Sequence, residues 1–381
     1  MIKRFLLLLV ILIAGCAPKY PVTGPPKDPL PGTFFSSADE SLSHKELASA
    51  MKGNDFILIG ESHNNPCDHK VQAGIIEEMS RTGKSFALGL EMVSVDRQDI
   101  LDRFNKGLID VDNLREMLHW DESWGFDYEL YRMIFETSRK YSVPVFALNV
   151  PREITRNISR HGMESLSFEE KTFLPENIIY PPHEQVEILE RQFEFHQDMI
   201  QADEPYFQRF IAAQSVWDTK MASEAIRIHK DRQEPVVILS GTMHVKKGYG
   251  IEHRLRSLMP HARVTSIVPV RSLEMITSDN PYHFFCPPVR SGMRLGIVAS
   301  EEDGQVMVTG VVKGSLAENA GLEKHDEIVK VDGKHISSMA DLHHAAVNAA
   351  QGDREMVMEV LRNGRKEFIN IRLMRAMPAT Q

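Results

Sequence analysis

The stretch Phe56–His63, which reads FILIGESH, decides the fold of the first part of this 381-residue chain. A second stretch of the same kind, Val236–His244, reads VVILSGTMH. In each, an apolar run precedes a Gly-x-x-His motif, and such runs, rich in β-branched residues, predict buried parallel strands. Ligands of open α/β sheets bind where the carboxyl ends of the strands meet. We therefore expect His63 and His244 to lie together in one crevice.

Strand-like and helix-like segments alternate from residue 34 to residue 278, which predicts an α/β domain with a mainly parallel sheet. Further strands are expected at 86–92, 143–149 and 264–270, the last of these completing the sheet. Residues 150–230 have helical patterns and no strand signal. We expect this stretch to form a helical cap over the strand ends, where lids shape ligand pockets.

Polar side chains follow four of the predicted strands and are candidates for chemistry. In chain order they are Glu61, His63, Glu91, Asn149, Arg152 and His244. Two histidines and a carboxylate suit a divalent ion such as Zn, Mn or Fe, so the predicted metal ligands are His63, His244 and Glu91. Without a metal, Glu61 or Glu91 is the candidate base of a hydrolase, and Arg152 stabilises an anion. Glu61 has a plainer alternative, which is to hydrogen-bond the backbone of its own turn.

A predicted helix over 204–230 has polar residues where a core face is expected. Gln214, Trp217, Asp218 and Met221 share one helical face, because they are spaced by three or four residues. An apolar core does not accommodate a bare Gln or Asp. These side chains therefore either face the crevice or meet a buried partner such as Arg152.

The chain begins with a targeting segment, residues 1–16. Positive residues precede an apolar run at 5–13, which is too short to cross a bilayer. The following sequence, LIAGC, resembles a bacterial lipobox and implies cleavage before Cys16, lipidation of Cys16 and a membrane-tethered protein. The alternative is an ordinary signal peptide. Residues 17–33 are rich in proline and predict an extended tether, and the absence of Asp after Cys16 favours the outer membrane, facing the periplasm.

Charge and cysteine content narrow the partners and the redox state. The net charge of −9 at pH 7 disfavours nucleic acid as a partner. Two cysteines remain after Cys16, namely Cys67 and Cys286. They could pair in an oxidising envelope, but the sequence does not show that they lie within reach. We favour a buried or unpaired thiol at Cys67.

Residues 279–291 contain three prolines and predict a linker, after which the pattern changes to short strands. The order of segments over 292–374 resembles a PDZ domain of the bacterial envelope type, although Leu316 replaces a usual Pro and His325 a usual Gly. The resemblance implies a groove for a protein C-terminus, which adds as a strand to the sheet edge. The groove residues that it implies are Arg294, Leu295, Gly296, Ile297, His343 and Val347. The alternative is a module that packs on its partner domain and binds no free peptide.

Five motifs of the first domain resemble those of the ChaN-like haem-binding lipoproteins and cover about residues 50–270. They are Gly60–His63, Gly89–Met92, Ala147–Arg152, Gln214–Ala222 and Gly241–Val245. The resemblance implies an iron-regulated lipoprotein that binds haem between two subunits, and thus a homodimer. The more distant Tiki proteins imply a metal-dependent peptidase, and the erythromycin esterases imply His-based ester hydrolysis.

A haem site needs an apolar slot and an axial ligand, commonly His or Tyr. The candidate ligands are Tyr180 and His196, and the candidate polar contacts of the cofactor are Asn149, Gln214 and Asp218. Three functions stay open at this stage: an envelope protein that binds haem for iron uptake, a hydrolase, and an adaptor that recruits a protein tail. We favour haem binding because the family resemblance supports it, whereas the crevice chemistry alone favours the hydrolase.

Overall fold

The structure is a computed structural model that describes residues 29–190, 204–289, 295–302, 304–337, 341–342, 345–346, 349 and 355–372. Within these ranges the chain forms one eight-stranded mixed sheet with helices and, after it, a smaller antiparallel sheet. No helix in the described ranges is long and apolar enough to cross a membrane.

The large sheet has the strand order β2-β1-β8-β7-β3-β6-β4-β5. Its strands are β1 (Phe34–Ser36), β2 (Ser41–Leu42), β3 (Phe56–Glu61), β4 (Ala87–Ser94), β5 (Val145–Asn149), β6 (Val236–Gly241), β7 (Val264–Val270) and β8 (Tyr282–Phe285). The run from β8 to β5 is parallel, and β1 and β2 add to its edge in antiparallel orientation. The mainly parallel α/β sheet predicted from the sequence is confirmed.

Helices flank this sheet and connect its strands. They are α1 (His44–Ala50), α2 (Pro66–Arg81), α3 (Gln98–Asn105), α4 (Val111–Met117), α5 (Trp120–Ser123), α6 (Tyr128–Tyr141), α7 (Arg152–His161), α8 (Phe168–Lys171), α9 (183–190), α10 (Glu204–Arg232), α11 (Thr242–Val245) and α12 (Ile251–Leu258). The α1 helix starts at a capping box formed by Ser43 and Glu46. The α2 helix starts with Pro66 after Asn65, whose side chain accepts from the amide of Cys67.

Both faces of the central strands are covered, which explains their continuous apolar sequence. Ile57 and Ile59 belong to the core cluster on one face of the sheet, together with residues of α2 and α6. Phe56 and Leu58 point to the opposite face, where they join a second cluster with α10 and α12. Successive strand residues alternate between faces, so a strand between two helical layers has no polar position until it ends.

The helical cap predicted over 150–230 is only partly correct. The first portion does form a separate apolar cluster just beyond β5, in which Val150 and Ile154 pack with Ala213 of α10. The second half of α10 instead packs on the sheet, where Met221 and Ala225 contact the strands. The α10 helix therefore serves both as part of the cap and as the crossover helix before β6.

Two expectations about the end of the first domain are wrong. Residues 282–285, placed in a linker from the sequence, form β8, which pairs with β7 and β1. The neighbouring prolines obscured a short aromatic run, YHFF, that completes the sheet. Cys67 and Cys286 form a disulfide with their Cα atoms 5.8 Å apart, so neither thiol is unpaired. This bond links the start of α2 to the residue after β8.

The second domain has the strand order β14-β13-β11-β10-β9, with β12 paired to β11. Its elements are β9 (Ile297–Glu302), β10 (Gln305–Val311), α13 (Leu316–Asn319), β11 (Glu327–Val331), β12 (Lys334–His335), β13 (Glu355–Arg362) and β14 (Arg365–Arg372). The predicted hairpin at Asn363-Gly364 is present, and both residues have positive φ, as a type I′ turn requires. His325 also has a positive φ, of 76°, which explains why Gly is usual there.

We expect reduction of the Cys67–Cys286 disulfide to lower the free energy of unfolding by about 2–5 kcal/mol, because the bond closes a long loop in the unfolded chain. Urea denaturation with and without a phosphine reductant measures this difference. The variant with both Cys67→Ser and Cys286→Ser should resemble the reduced protein and show no response to the reductant. Two titratable thiols in the unreduced, denatured protein would contradict the disulfide.

Candidate functional site

The two Gly-x-x-His motifs lie side by side because β3 and β6 are adjacent and in register. Glu61, the last residue of β3, pairs with Gly241, the last residue of β6. Thr242 reinforces the pairing, since its hydroxyl donates to the carbonyl oxygen of Glu61 at 2.9 Å. The sheet topology therefore brings the two motifs together at the strand ends, where His63 lines a crevice and His244 does not.

Glu61 is a buried carboxylate with three partners. Its Oε1 lies 2.8 Å from Nδ1 of His63 and accepts from the hydroxyl of Tyr131 at 2.7 Å, and its Oε2 lies 3.2 Å from Nδ1 of His69. Burial opposes ionisation, but His69 and His63 outweigh it and lower the pKa of Glu61 well below its usual value. The pKa of His63 and of His69 is raised, because burial is outweighed by this carboxylate. The Glu61 group is thus an ion cluster rather than a simple turn contact.

The His63 ring packs tightly against its surroundings. Its centroid is 4.9 Å from that of Trp124 and 4.8 Å from that of Phe126. On another side it meets Gly241, where a Cβ atom would lie 2.9 Å from Cε1 of His63. Gly241 has a φ of −55°, which any residue adopts, so the glycine of the second motif provides space for the histidine of the first.

A second group of buried charges surrounds His244. Its Nδ1 is 2.6 Å from Oδ1 of Asp218, and its Nε2 is 3.5 Å from Oε1 of Glu91. Burial disfavours the imidazolium, but Glu91 and Asp218 outweigh it and raise the pKa of His244 to about 9. The buried Arg254 lies 3.5 Å from the other oxygen of Asp218. The amide of Gly241 donates to Oε2 of Glu91 at 2.6 Å, whereas Oε1 is buried without a hydrogen-bond partner.

The crevice beside these groups has a volume of about 300 Å³. His63 and Glu91 line its floor, Trp124 and Trp217 its walls, and Arg152 is exposed where it borders the crevice. The cavity is therefore small, and charged and aromatic side chains alternate around it.

Three predicted residues behave differently from expectation. Asn149 lines the crevice, but its amide donates to the carbonyl oxygen of Glu91 at 2.9 Å and accepts from the amide of Val150, so it mainly ties strand ends together. Gln214 is half-buried and lines neither this crevice nor the groove described below. Asp218 does meet buried partners, but they are His244 and Arg254 rather than Arg152.

The predicted metal ligands meet but do not form a metal site. Among the described residues, no group of three or more His, Cys, Asp or Glu side chains is arranged to hold an ion. His63 and His244 each direct Nδ1 to a carboxylate, which fixes their orientation.

A second concavity, which we name the Tyr180 groove, is open and has a volume of about 580 Å³. Tyr180 is 54% exposed beside it, and its backbone hydrogen-bonds with His253. The groove lining consists of Pro182, Glu184, Lys247, Gly248, Tyr249, Glu252, His253, Arg256 and Ser257. An exposed tyrosine therefore lies next to a groove lined by both basic and acidic side chains.

Several predicted residues lie outside the described part of the chain. They are Cys16, His196, Arg294, His343 and Val347. Conversely, the structure adds His69, Tyr131 and Arg254 to the site, none of which the sequence singled out as a functional residue. His69 had a weak signal, because it follows the first motif closely. Tyr131 and Arg254 had none, since their partners are distant in the chain.

The described part of the PDZ loop is built as a carboxylate-binding loop requires. The carbonyl oxygens of Leu295 and Gly296 accept from Ala317 and Val312 at 2.8 Å each, so they turn toward the domain body. Gly296 has a φ of 78°, and a Cβ there would lie 2.1 Å from Cβ of Ser315. The following strand, β9, is at the edge of the sheet and can pair with an added strand.

Residues 47–255, more than half of the chain, match the family described as haem-binding uptake, Tiki superfamily, ChaN. The chain belongs to this family, and residues 293–373 match the PDZ domain family. Among solved structures it is similar to ChaN of Campylobacter jejuni, described as showing cofacial haem binding, with a TM-score of 0.52 and 17% identity. That match covers 66% of this chain and 95% of the other. At this identity the likeness shows the fold alone.

Two curated bacterial proteases share short stretches with the chain. Carboxy-terminal processing protease CtpA of Bacillus subtilis is 31% identical over 70 residues, which is 18% of this chain and 15% of that protein. A probable periplasmic serine endoprotease, DegP-like, of Chlamydia muridarum is 43% identical over 65 residues, 17% of this chain and 12% of that protein. The chain thus spans only a small part of the length of either protease.

We expect an NMR titration of His244 to have its midpoint at about pH 9, as its raised pKa indicates. A histidine that binds its proton more tightly when folded stabilises the fold below its unfolded pKa of about 6.5. That stabilisation should disappear as the pH rises toward about 9. Asp218→Asn should lower the midpoint, because it removes a carboxylate 2.6 Å away, whereas Asp55→Asn at the far end of β3 should not. A wild-type midpoint near 6.5 would contradict this account.

Proposed function

We propose that this chain is a lipid-anchored protein of the bacterial envelope that binds haem for haem or iron uptake. Membership of the haem-binding uptake family supports haem as the ligand. The single observation that carries the location is the exposed Tyr180 beside an open groove whose lining includes Lys247 and Arg256. Tyrosine is one of the residues that ligate haem iron in proteins.

Haem does not fit the crevice. Its volume of about 300 Å³ is at the lower end of the range for small-molecule pockets, and a porphyrin is larger than the ligands that such a cavity encloses.

Haem does fit the Tyr180 groove. The phenol of Tyr180 would hold the iron. Lys247 and Arg256 line the groove and pair with Asp279 and Glu252, and both would turn to the propionates. When bound, the haem supplies an iron that accepts axial ligands and electrons. Because the groove is open, one face of a bound porphyrin would remain exposed, and a second copy of this chain would cover it. We therefore propose a homodimer with paired haems, in keeping with the cofacial haem binding described for ChaN of Campylobacter jejuni.

The lipid anchor is inferred from the sequence, and the compartment is inferred from the sequence and from one structural feature. Lipidation of Cys16 and the tether over 17–33 would hold the domain at the outer membrane, facing the periplasm. The Cys67–Cys286 disulfide supports an oxidising compartment, because such bonds are rare in the cytosol.

The second domain would recruit the C-terminus of another envelope protein. The edge position of β9 and the Gly296 loop, where only glycine fits, support this mode, in which backbone amides bind the carboxylate and the peptide extends the sheet. The haem domain would then act where that partner is located.

We expect Tyr180→Phe to weaken haemin binding by about 10-fold or more, which is about 1.4 kcal/mol, because the variant loses only the ligating oxygen. Titration of residues 34–381, followed by the Soret band, measures the affinity. Tyr282→Phe removes a phenol in β8, away from the groove, and should bind like the wild type. An unshifted Soret band at excess wild-type protein would reject haem binding, and equal affinity of Tyr180→Phe would reject its location.

A second candidate function, hydrolysis of an ester or peptide, is favoured by Glu91, which lines the crevice and has one oxygen without a hydrogen bond. Glu61 also has such an oxygen, but it does not line the crevice, so Glu91 is the candidate for the base that takes a proton from water. His244 is held charged by Asp218 and would stabilise the developing oxyanion, with Arg152 at the crevice border.

For this hydrolase we expect Glu91→Gln to lower turnover of p-nitrophenyl esters by about 10²- to 10⁴-fold, the contribution typical of a general base. Glu77→Gln, an exposed ion-pair residue of α2, is the matched control and should retain wild-type turnover. Absence of turnover by the wild type on esters and peptides would argue against the hydrolase, as would full activity of Glu91→Gln.

A further inference from the structure

Arg254, on α12, lies between the turn that carries Tyr180 and the buried group around His244. Its side chain is fully buried. Its Nε donates to the carbonyl oxygen of Ile179, the residue before Tyr180, at 3.2 Å. Its Nη1 lies 3.5 Å from Oδ2 of Asp218, whose other oxygen holds His244. One guanidinium therefore joins the turn that carries Tyr180 to the group that orients His244.

The same guanidinium also contacts the walls of the groove. Nη1 donates to Oε1 of Gln185 on α9 at 3.0 Å and to the carbonyl oxygen of Gly250 at 3.2 Å, and it also bonds the carbonyl oxygen of Tyr249. Thr219, next to Asp218 on α10, adds a second tie, because its hydroxyl accepts from the amide of Ile179 at 3.1 Å. The Tyr180 turn is thus fixed to the elements that build the crevice.

We infer that Arg254 is a positioning residue that couples the Tyr180 groove to the crevice, so that a ligand in one changes the environment of the other. A guanidinium holds its donors in one rigid plane, so a shift of one partner moves the bonds to the others. A buried cation without its partners is costly. The guanidinium of Arg254 therefore moves with its hydrogen-bond acceptors and keeps its bonds to them. The functional consequence rests on the proposed haem site at Tyr180, whereas the coupling itself does not.

Ligand-free protein tests the positioning role first. In Arg254→Lys, which keeps the charge and loses the planar fork, we expect the amides of Ile179 and Tyr180 to exchange with solvent about 10-fold faster or more, as loss of a charge-assisted hydrogen bond implies. Arg263→Lys is the matched control, because Arg263 makes a forked pair with Asp55 at the far end of β3. Equal exchange of Ile179 in Arg254→Lys and Arg263→Lys would overturn the inference.

A milder variant guards against misfolding of Arg254→Lys. Gln185→Met removes one groove-side acceptor of Arg254 and leaves the cation in place. We expect the imidazole ¹⁵N resonances of His244 to shift in this variant, although Gln185 contacts Arg254 rather than His244. A purely structural role would leave these resonances unchanged, and unchanged resonances would count against the coupling.

Gallium(III) protoporphyrin IX, a diamagnetic haem analogue that accepts oxygen ligands, tests the coupling with a ligand present. Its binding should shift the His244 resonances in the wild type and not in Arg254→Lys at equal saturation. An identical shift in both proteins would overturn the coupling.

The failure of this inference is distinguishable from failure of the haem proposal. Weak haemin binding by Tyr180→Phe with normal Ile179 exchange in Arg254→Lys would retain the haem site and reject the role of Arg254. Unchanged haemin binding by Tyr180→Phe with fast Ile179 exchange in Arg254→Lys would reject the haem site and retain the role of Arg254.

Discussion

The parallel pairing of β3 with β6 is the constraint on which the site depends. It aligns Glu61 with Gly241, and only this register sets the ring of His63 against a position without a side chain. A slip by one residue would turn every side chain of the strand to the other helical layer. The same pairing therefore secures the apolar core and brings two motifs, far apart in sequence, into one crevice.

Burial at these strand ends forces the charges to compensate one another. Glu61 is matched by two histidines, and Asp218 is matched by His244 and Arg254. Removing one member of such a buried pair costs about 3–5 kcal/mol, because its partner stays buried without compensation. The two groups consequently behave as fixed structural units, and Glu91, which lies next to both histidines, keeps one oxygen free of hydrogen bonds.

This arrangement separates two tasks within one domain. The crevice is the smaller and more enclosed of the two concavities, whereas the Tyr180 groove is open and lined by both basic and acidic side chains. A large planar ligand suits the groove, and a small polar substrate suits the crevice. Arg254 lies between them, so a common polar network underlies both sites. A domain of a haem-binding family can thus have an ordered set of polar residues in its crevice without binding the porphyrin there.

Much of the fold could be predicted from local sequence. The FILI run of β3 predicted a strand covered on both faces, and Asn363-Gly364 predicted its hairpin, because each depends on nearby residues alone. The strand β8 was missed because it has only four residues and lies between prolines. So short a run gives little periodic signal. The disulfide joins residues 219 positions apart, and their proximity is set by tertiary packing.

The site was predictable only in part for the same reason. The strand ends indicated Glu61, His63, Glu91 and His244, since topology alone brings them together. Arg254 was missed, because a helical arginine is ordinarily exposed and nothing local shows that its partners are carbonyl oxygens of another segment. Asp218 was recognised as anomalous on its helical face, and a buried partner such as Arg152 was one of two alternatives. Its partners are His244 and Arg254, which belong to other elements.

The measurement that tests the central claim most directly is resonance Raman spectroscopy of the wild-type protein saturated with haemin. The account places the iron on an exposed phenol in the Tyr180 groove, so it predicts a high-spin ferric haem with phenolate vibrations of an iron-bound tyrosine. A low-spin spectrum with histidine ligation would place the haem on imidazoles instead. That result would contradict the separation of groove and crevice on which the proposed function depends.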